Sequence, residues 1–442
     1  MGRRIAVFGT GYLGATHAAC MAELGHEVLG VDVDVAKLEK LAGGRAPFFE
    51  PDLDAMLTTH VNSGRLRFTS SYAEAAEFAD VHFIAVPTPQ RRGEFGADVS
   101  YVDAVVTTLA PLLTRPAIIY GKSTVPVGTT ARLDSLAKQL APVGDAVEVV
   151  WNPEFLREGC AVQDTLHPDR IVLGVDPGHR GQAEAVAREV YRDAIAAGIP
   201  LFVTDRETAE LVKTAANAFL ATKISFINAM AEICDAAGAD VSELADAIGC
   251  DIRIGRKFLN AGIGFGGGCL PKDIRALMAR AGELGANQAL TLLSTVDSIN
   301  MRQRTKMVEL AREMAGGSLI GTKVAVLGAA FKPDSDDIRD SPALNIAGQI
   351  QLQGASVSVY DPKAIDNARL LFPTLEYSGN VREACEGADL TLVLTEWHEF
   401  RNLEPESLSS IVRRRIVIDG RNCLNPEKWR GAGWDYRGMG RR

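Results

Sequence analysis

The chain opens on Ile5-Ala6-Val7-Phe8 and runs straight into Gly9-Thr10-Gly11-Tyr12-Leu13-Gly14, and no other feature narrows its fold so far. A short apolar run that stops at glycines with this spacing reads as a strand turning directly into a helix. In such a turn the first glycine permits the tight bend, the second lets backbone approach a pyrophosphate, and the third allows the helix to pack closely. Tyr12 to about Leu24 continues as an amphipathic helix stopped by Gly25, and Glu27 to Asp32 reads as a second strand ending in an acid. A carboxylate there accepts from both ribose hydroxyls and repels a 2′-phosphate, so the pattern predicts NAD rather than NADP. The helix N-terminus adds amides and a positive dipole end for phosphate. Gly9, Gly11, Tyr12, Leu13, Gly14 and Asp32 are therefore candidate cofactor residues.

Further apolar runs at Val81–Val86, Ala117–Tyr120, Val147–Trp151 and Ile171–Val175 supply more strands of a doubly wound sheet. From Arg206 to Gly238 turn signals almost vanish, and Leu211, Ala215, Phe219, Ile224, Ile227 and Ile233 recur at helical spacing. This predicts a long helix or helix pair, with other helices flanking the glycine-rich stretch 262–268. The α/β texture resumes after Gly316-Gly317. Lys323–Gly328 repeats the strand-then-glycine pattern, Val357–Asp361 again ends in an acid, and Leu390–Thr395 and Ile416–Asp419 add two strands. Past Asn425, the tail with Trp429 and Trp434 is given no element. The predicted architecture is α/β: two Rossmann-like doubly wound domains, 1–203 and 317–442, joined by a central helical domain, 204–316, with a long helix. A chain of 442 residues has room for two or three such domains.

Composition removes several classes of function. A formal net charge of −9 leaves no basic footprint for nucleic acid. No apolar run approaches a membrane span. Arg3-Arg4 before an apolar run superficially suggests a secretion signal, but the glycines that follow and the missing cleavage pattern point to a cytoplasmic protein. Seven cysteines, odd in number and without a Cys-x-x-Cys pair, predict neither a disulfide framework nor a zinc site. The scattered histidines give no support for a metal mechanism.

Six of the cysteines read as inert small hydrophobes. Cys269 differs, because Gly266-Gly267-Gly268 gives open access to it and Pro271-Lys272-Asp273 begins a helix that ends near Ala281. A thiol beside a helix N-terminus and a lysine is biased toward thiolate, which suits a nucleophile. Lys213 and Asn217 share one face of the long helix, and the small or apolar residues from Thr214 to Leu220 suggest that this face is buried. Glu154 and Glu158 follow the Asn152-Pro153 turn, at the carboxyl edge of a sheet where ligands bind.

Ordered blocks run the length of the chain: Val86–Pro89, Lys122–Thr129, Asn152–Gly159, His167–Val172, Lys213 with Asn217–Leu220, and Gly262–Asp273. Phe331–Asp334, Asp337–Arg339, Tyr360–Pro362 and Asp419–Asn422 complete them. Together they resemble the UDP-glucose/GDP-mannose dehydrogenase family in all three segments. The resemblance implies oxidation of a nucleotide sugar's primary alcohol to an acid, a four-electron reaction that consumes two NAD. It implies that Cys269 traps the aldehyde as a thiohemiacetal and then carries a thioester, which water releases. Lys213 would stabilise an oxyanion, Asn217 hold substrate or water, and Asp273 act as general base through a water shared with Thr124. Glu154 would serve thioester hydrolysis and Glu158 lie near the cofactor. Lys37, Thr88, Thr124, Lys272 and Arg339 would join the cofactor site.

On the sugar-nucleotide side, the resemblance implies roles for Glu154, Phe155, Leu156, Arg157, Glu158, Lys213 and Asn217. It adds Phe258, Leu259, Asn260, Ala261, Gly262, Gly266 and Phe331, with Lys332 and Arg421 on pyrophosphate or uridine. Arg253 would reach into the neighbouring subunit's sugar site, which implies a homodimer through the central helical domain. The blocks Val86–Pro89, Asn217–Leu220 and Asp251–Gly255 look like the UDP-glucose branch, so UDP-glucose is the expected substrate, with GDP-mannose or another nucleotide sugar as the alternative. Gly121 and Ala229 depart from acids common in relatives, and neither touches the proposed chemistry. A two-electron hydroxyacid dehydrogenase would need neither Cys269 nor the third segment. A silent NAD-sensing protein would lack an intact nucleophile, lysine and acid.

Overall fold

Arg4–Phe8 forms strand β1, buried from Ile5 onward, and the chain turns through Gly9 into the helix Tyr12–Glu23. The computed structural model describes residues 2–178 and 180–441. Alternation along β1 builds two cores at once. Ile5 and Val7 pack into one apolar layer with Val28, while Ala6 and Phe8 enter the opposite layer with Leu29 and Val31. A strand buried on both faces is what a parallel sheet with helices on either side requires.

The strands that follow are β2 (Glu27–Val31), β3 (Leu66–Thr69), β4 (Val81–Ile84), β5 (Ala117–Gly121), β6 (Val147–Trp151), β7 (Ile171–Val175) and β8 (Leu201–Asp205). They line up as β3-β2-β1-β4-β5-β6-β7-β8, parallel throughout except where β6 meets β7. Strand order reverses between β1 and β4, and the Gly9 turn lies at that switch point, where open α/β sheets take their ligands.

A second sheet holds β9 (Lys323–Leu327), β10 (Ser356–Tyr360), β11 (Glu376–Tyr377), β12 (Leu390–Val393), β13 (Ile416–Asp419) and β14 (Asp435–Gly438). Its order, β11-β10-β9-β12-β13-β14, is parallel throughout. Between the sheets in sequence lie the helices Arg206–Ala237, Leu270–Glu283 and Asn287–Met314. The first is one unbroken helix of 32 residues, not a helix pair, because it contains no glycine or proline until Gly238. The chain divides into two compact units between Ala216 and Asn217. Among the described residues, no helix is long and apolar enough to cross a membrane.

The strands that hydrophobic pattern missed are β3, β8, β11 and β14, which are the four sheet edges. An edge strand pairs on one side only and needs no continuous apolar run. The tail corrects the sequence reading most. Pro426–Gly431 is a short helix and β14 pairs with β13, while Trp429 and Trp434 are buried edge-to-face with centroids 4.8 Å apart.

Candidate active site

In the first unit the glycine turn has the shape a dinucleotide needs. A methyl group added at Gly14 would lie 1.7 Å from the carbonyl oxygen of Gly9, so helix and strand touch there. At Gly11 the same addition would meet nothing within 4 Å, leaving open space where a pyrophosphate can come against backbone. Asp32 at the end of β2 accepts from the Thr10 amide (2.8 Å), the Thr10 hydroxyl (2.9 Å), the Asp34 amide (3.0 Å) and Lys37 Nζ (3.0 Å). Burial raises its pKa, but those amides and the Lys37 ammonium outweigh it and hold the carboxyl below its ordinary value. An ionised acid beside the turn fits the ribose of NAD. Asp32→Ala should weaken NAD binding about 10- to 100-fold, the worth of charge-assisted hydrogen bonds, and narrow the gap to NADP. Titrating both cofactors against the variant checks this, and a wild type that prefers NADP would overturn the reading.

The corresponding acid of the second sheet is spoken for. Asp361, buried after β10, accepts from the amides of Ala329, Ala330, Lys363 and Ala364 at 2.8–2.9 Å and from the Trp397 indole at 3.1 Å. A carboxylate has about four lone-pair sites, and the five donors on Asp361 leave none for a ribose. Among the described residues Asp32 Oδ1, by contrast, takes one donor, the Asp34 amide, and keeps a lone pair for a ribose. The repeated strand-then-glycine pattern at 323–328 therefore marks a shared fold, not a second dinucleotide site.

At the carboxyl edge of β5 and β6, Lys213 Nζ pairs with Glu154 Oε1 at 2.9 Å. Glu154 Oε2 also accepts the Leu156 amide at 2.7 Å. Lys213 is buried, as the small and apolar neighbours on its helix suggested. The Phe155 ring lies under Arg170, and Arg157 grips Asp164 through two nitrogens. Thr124 follows β5, half-buried, while Thr88 and Glu158 are buried.

Two residues here escaped the sequence reading. Lys122, buried, donates to Asn152 Oδ1 at 3.0 Å. Burial pushes its pKa down to about 8, with the Glu154 charge opposing the shift and the Lys213 charge adding to it. Glu50 accepts from the Tyr12 hydroxyl and from the amides of Gly159 (2.7 Å) and Ala161 (2.6 Å), tying the cofactor turn to the loop that bears Glu154 and Glu158. Both are single polar residues whose partners lie far away in sequence.

In the second unit Cys269 is exposed and stands at the N-cap of the helix Leu270–Glu283, with Pro271 in the first turn. Its sulfur therefore meets the positive end of a fourteen-residue helix. One turn on, Asp273 is 1% exposed and accepts from Asn217 Nδ2 at 2.6 Å and Lys272 Nζ at 2.7 Å. The glycine loop before Cys269 is held from several sides. Asn228 accepts the Gly262 amide at 2.8 Å, the Ile263 amide reaches Gly420 O at 2.9 Å, and the Gly267 amide reaches Arg339 O at 2.8 Å. Gly268 leaves room for Arg339, whose guanidinium carbon would lie 2.2 Å from any added methyl. Phe331 packs on Gly267, and a methyl at Gly266 would strike Asp340 O. Lys332 Nζ is 5.6 Å from the Phe331 ring centroid. Arg421 donates to Gly264 O (2.9 Å), Phe331 O (3.0 Å) and Leu394 O (2.9 Å), so it braces the loop as well as offering charge.

The remaining predicted residues are placed less tightly. Leu259 and Ala261 are buried, Phe258 has a φ of 66°, and Asn260 accepts from Arg256. Arg253 joins neither cluster; its side chain is 85% exposed and pairs with Asp251.

Known proteins resemble the chain along its whole length. The UDP-glucose/GDP-mannose dehydrogenase family matches in three parts: its NAD binding domain over residues 3–195, its central domain over 207–302, and its UDP binding domain over 325–426. The chain is 43% identical to a UDP-glucose 6-dehydrogenase of Rhizobium meliloti over 438 residues, 99% of each chain. Among solved structures it resembles a UDP-glucose dehydrogenase from the archaeon Pyrobaculum islandicum, with a TM-score of 0.90, 35% identity and coverage of 100% and 98% of the two chains. It also resembles a UDP-D-ManNAc dehydrogenase from Pyrococcus horikoshii, at a TM-score of 0.86, 29% identity and 99% coverage of both. With a turn shaped for NAD, a cysteine at a helix N-terminus and a full-length match, the chain belongs to the UDP-glucose/GDP-mannose dehydrogenase family and is an NAD-dependent nucleotide-sugar dehydrogenase.

Proposed function

We propose that this is a cytoplasmic enzyme that oxidises UDP-glucose to UDP-glucuronate through covalent intermediates on Cys269. The observation that supports the covalent route best is an exposed cysteine at a helix N-terminus, one turn from a buried Asp273 paired with Asn217. Bound NAD supplies the two-electron acceptor, used twice per sugar. Asp273, through a water shared with Thr124, takes the proton of the sugar's primary hydroxyl as the aldehyde forms. Cys269 Sγ then adds to the aldehyde carbon, and Lys213 steadies the resulting oxyanion. The second oxidation leaves a thioester. Glu154 takes a proton from water as it attacks, and the carboxylate leaves while Cys269 is restored. In sum, one alcohol, one water and two NAD+ give one carboxylate, two NADH and three protons.

The segments 1–203, 204–316 and 317–442 would then divide the labour into cofactor binding, dimerisation with the nucleophile, and nucleotide binding through Lys332 and Arg421. Full-length likeness to UDP-glucose 6-dehydrogenases supports UDP-glucose as the sugar. The fold likeness to a UDP-D-ManNAc dehydrogenase keeps a second reading, the same chemistry on another nucleotide sugar. Counting NADH per sugar over a panel that includes UDP-glucose, GDP-mannose and UDP-N-acetyl sugars separates them. Two NADH per sugar with UDP-glucose turned over fastest is the expected result. One NADH per sugar would overturn the covalent route, and faster GDP-mannose turnover the choice of substrate.

A homodimer is supported by Phe219, Phe226 and Ile233, which recur every seven residues on the long helix and are all exposed. An apolar stripe of this kind needs covering, and the exposed Arg253, which pairs with Asp251 in the single chain, would exchange that partner for a second copy. Phe226→Asp should convert the dimer to monomer in sedimentation and remove most activity. A wild type that sediments as a fully active monomer would refute the dimer.

A further inference from the structure

The stretch 261–267 has no helix or strand, yet every residue in it is buried. Irregular backbone away from water must find hydrogen-bond partners outside itself. Elsewhere in the stretch Ile263 and Gly267 bond to backbone, and Asn228, Asn422 and Arg421 each reach one group, at Gly262, Ala261 and Gly264. Phe265 is different, because one side chain satisfies both halves of its peptide functionality. Asn300, on the helix Asn287–Met314, accepts the Phe265 amide at Oδ1 (2.7 Å) and donates from Nδ2 to Phe265 O (3.0 Å). Asn300 is fully buried, and a methyl added at Gly264, whose φ is +88°, would lie 2.4 Å from Asn300 Oδ1. The amide thus lies flat against the loop four residues before Cys269.

We propose that Asn300 is a positioning residue for the nucleophile, a two-point lock that sets the course of the glycine loop and with it the aim of Cys269 Sγ. This rests on the reading of Cys269 as the nucleophile. Only a carboxamide offers a donor and an acceptor side by side at this reach. An aspartate would accept the Phe265 amide but set a second oxygen against Phe265 O, and a serine would reach neither group. The loop's other ties, at Gly262, Ile263, Gly264 and Gly267, would survive either change, so the loop would shift without unfolding.

The test uses Asn300→Asp and Asn300→Ser in the full chain. Alkylation of Cys269 by iodoacetamide, followed by peptide mass, reads loop geometry without turnover, and Cys160, exposed in the first unit, serves as internal control. The lock predicts a change of threefold or more in the Cys269 alkylation rate, with Cys160 unaffected. It predicts a kcat lower by about 10- to 100-fold, the cost of misplacing a reacting group by about 1 Å, with the KM for NAD within about twofold of wild type. Wild-type alkylation and kcat in both folded variants would overturn it. So would a parallel change in the Cys160 alkylation rate with losses of NAD binding and melting temperature, which a merely structural asparagine predicts. A changed alkylation rate supports the lock even where Cys269→Ala retains turnover, a result that would sink the nucleophile reading alone.

Discussion

Cys269→Ala should lower steady turnover to the acid by about a thousandfold or more, the order of loss seen when a covalent enzyme loses its nucleophile, while leaving the fold intact. Fold preservation follows from the local geometry. Cys269 is exposed and makes no side-chain capping hydrogen bond to its own helix, so alanine removes neither a core group nor a cap. Serine is itself a favoured N-cap. Melting temperatures of both variants should stay close to wild type, and NAD binding should survive, since the turn at Gly9 and Asp32 belongs to the first unit. The serine variant separates covalent from merely structural roles. Its hydroxyl can still add to the aldehyde, and the second oxidation gives an ester in place of a thioester. An alkoxide is a far poorer leaving group than a thiolate, so the sugar-acylated protein should accumulate and appear as a mass increase on the peptide bearing the introduced serine. Alanine cannot form that adduct. Normal four-electron turnover by a well-folded Cys269→Ala protein would sink the covalent mechanism.

What sequence could reveal here was local chemistry and continuous burial. β1 and β2 were legible because Ile5–Phe8 and Val28–Val31 are apolar along their whole length, as central parallel strands must be. Cys269 was legible because glycines before it and a proline after it mark a loop running into a helix. The edge strands were not, since LRFT and DYRG owe their conformation to a neighbour that arrives from elsewhere in the chain. The same limit hid Asn300, Glu50 and Lys122. Each is one polar residue whose partners lie 30 or more positions away, and its meaning exists only once those partners arrive. Phe219 and Ile233 fitted the helical period but turn outward, because period alone does not say which apolar face a single chain covers. Arg421 was singled out by the family resemblance alone, and its three bonds to backbone carbonyls add a bracing role that no motif announces.

Glu154→Gln should divide the reaction at its last step. Glu154 accepts from Lys213 Nζ at 2.9 Å through one oxygen and from the Leu156 amide at 2.7 Å through the other. Glutamine matches the shape but replaces one acceptor with a donor, which then faces either an ammonium or an amide. Leaving one such buried contact unmade should cost about 1–3 kcal/mol, readable as a lowered melting temperature in a protein that remains folded. The chemical loss should be larger. A glutamine side chain cannot take a proton from water, and removing a general base typically costs about 10²- to 10⁴-fold. The two oxidations do not need that base, because Asp273 serves the first and the thiohemiacetal is already formed before the second. Rapid mixing with NAD and UDP-glucose should therefore show a burst of two NADH per site, followed by turnover slowed by that factor. The thioester should persist on Cys269, detectable as an adduct on its peptide that hydroxylamine removes. A burst of zero or one NADH would place Glu154 in an oxidation step instead, and unslowed steady turnover would take it out of the chemistry altogether.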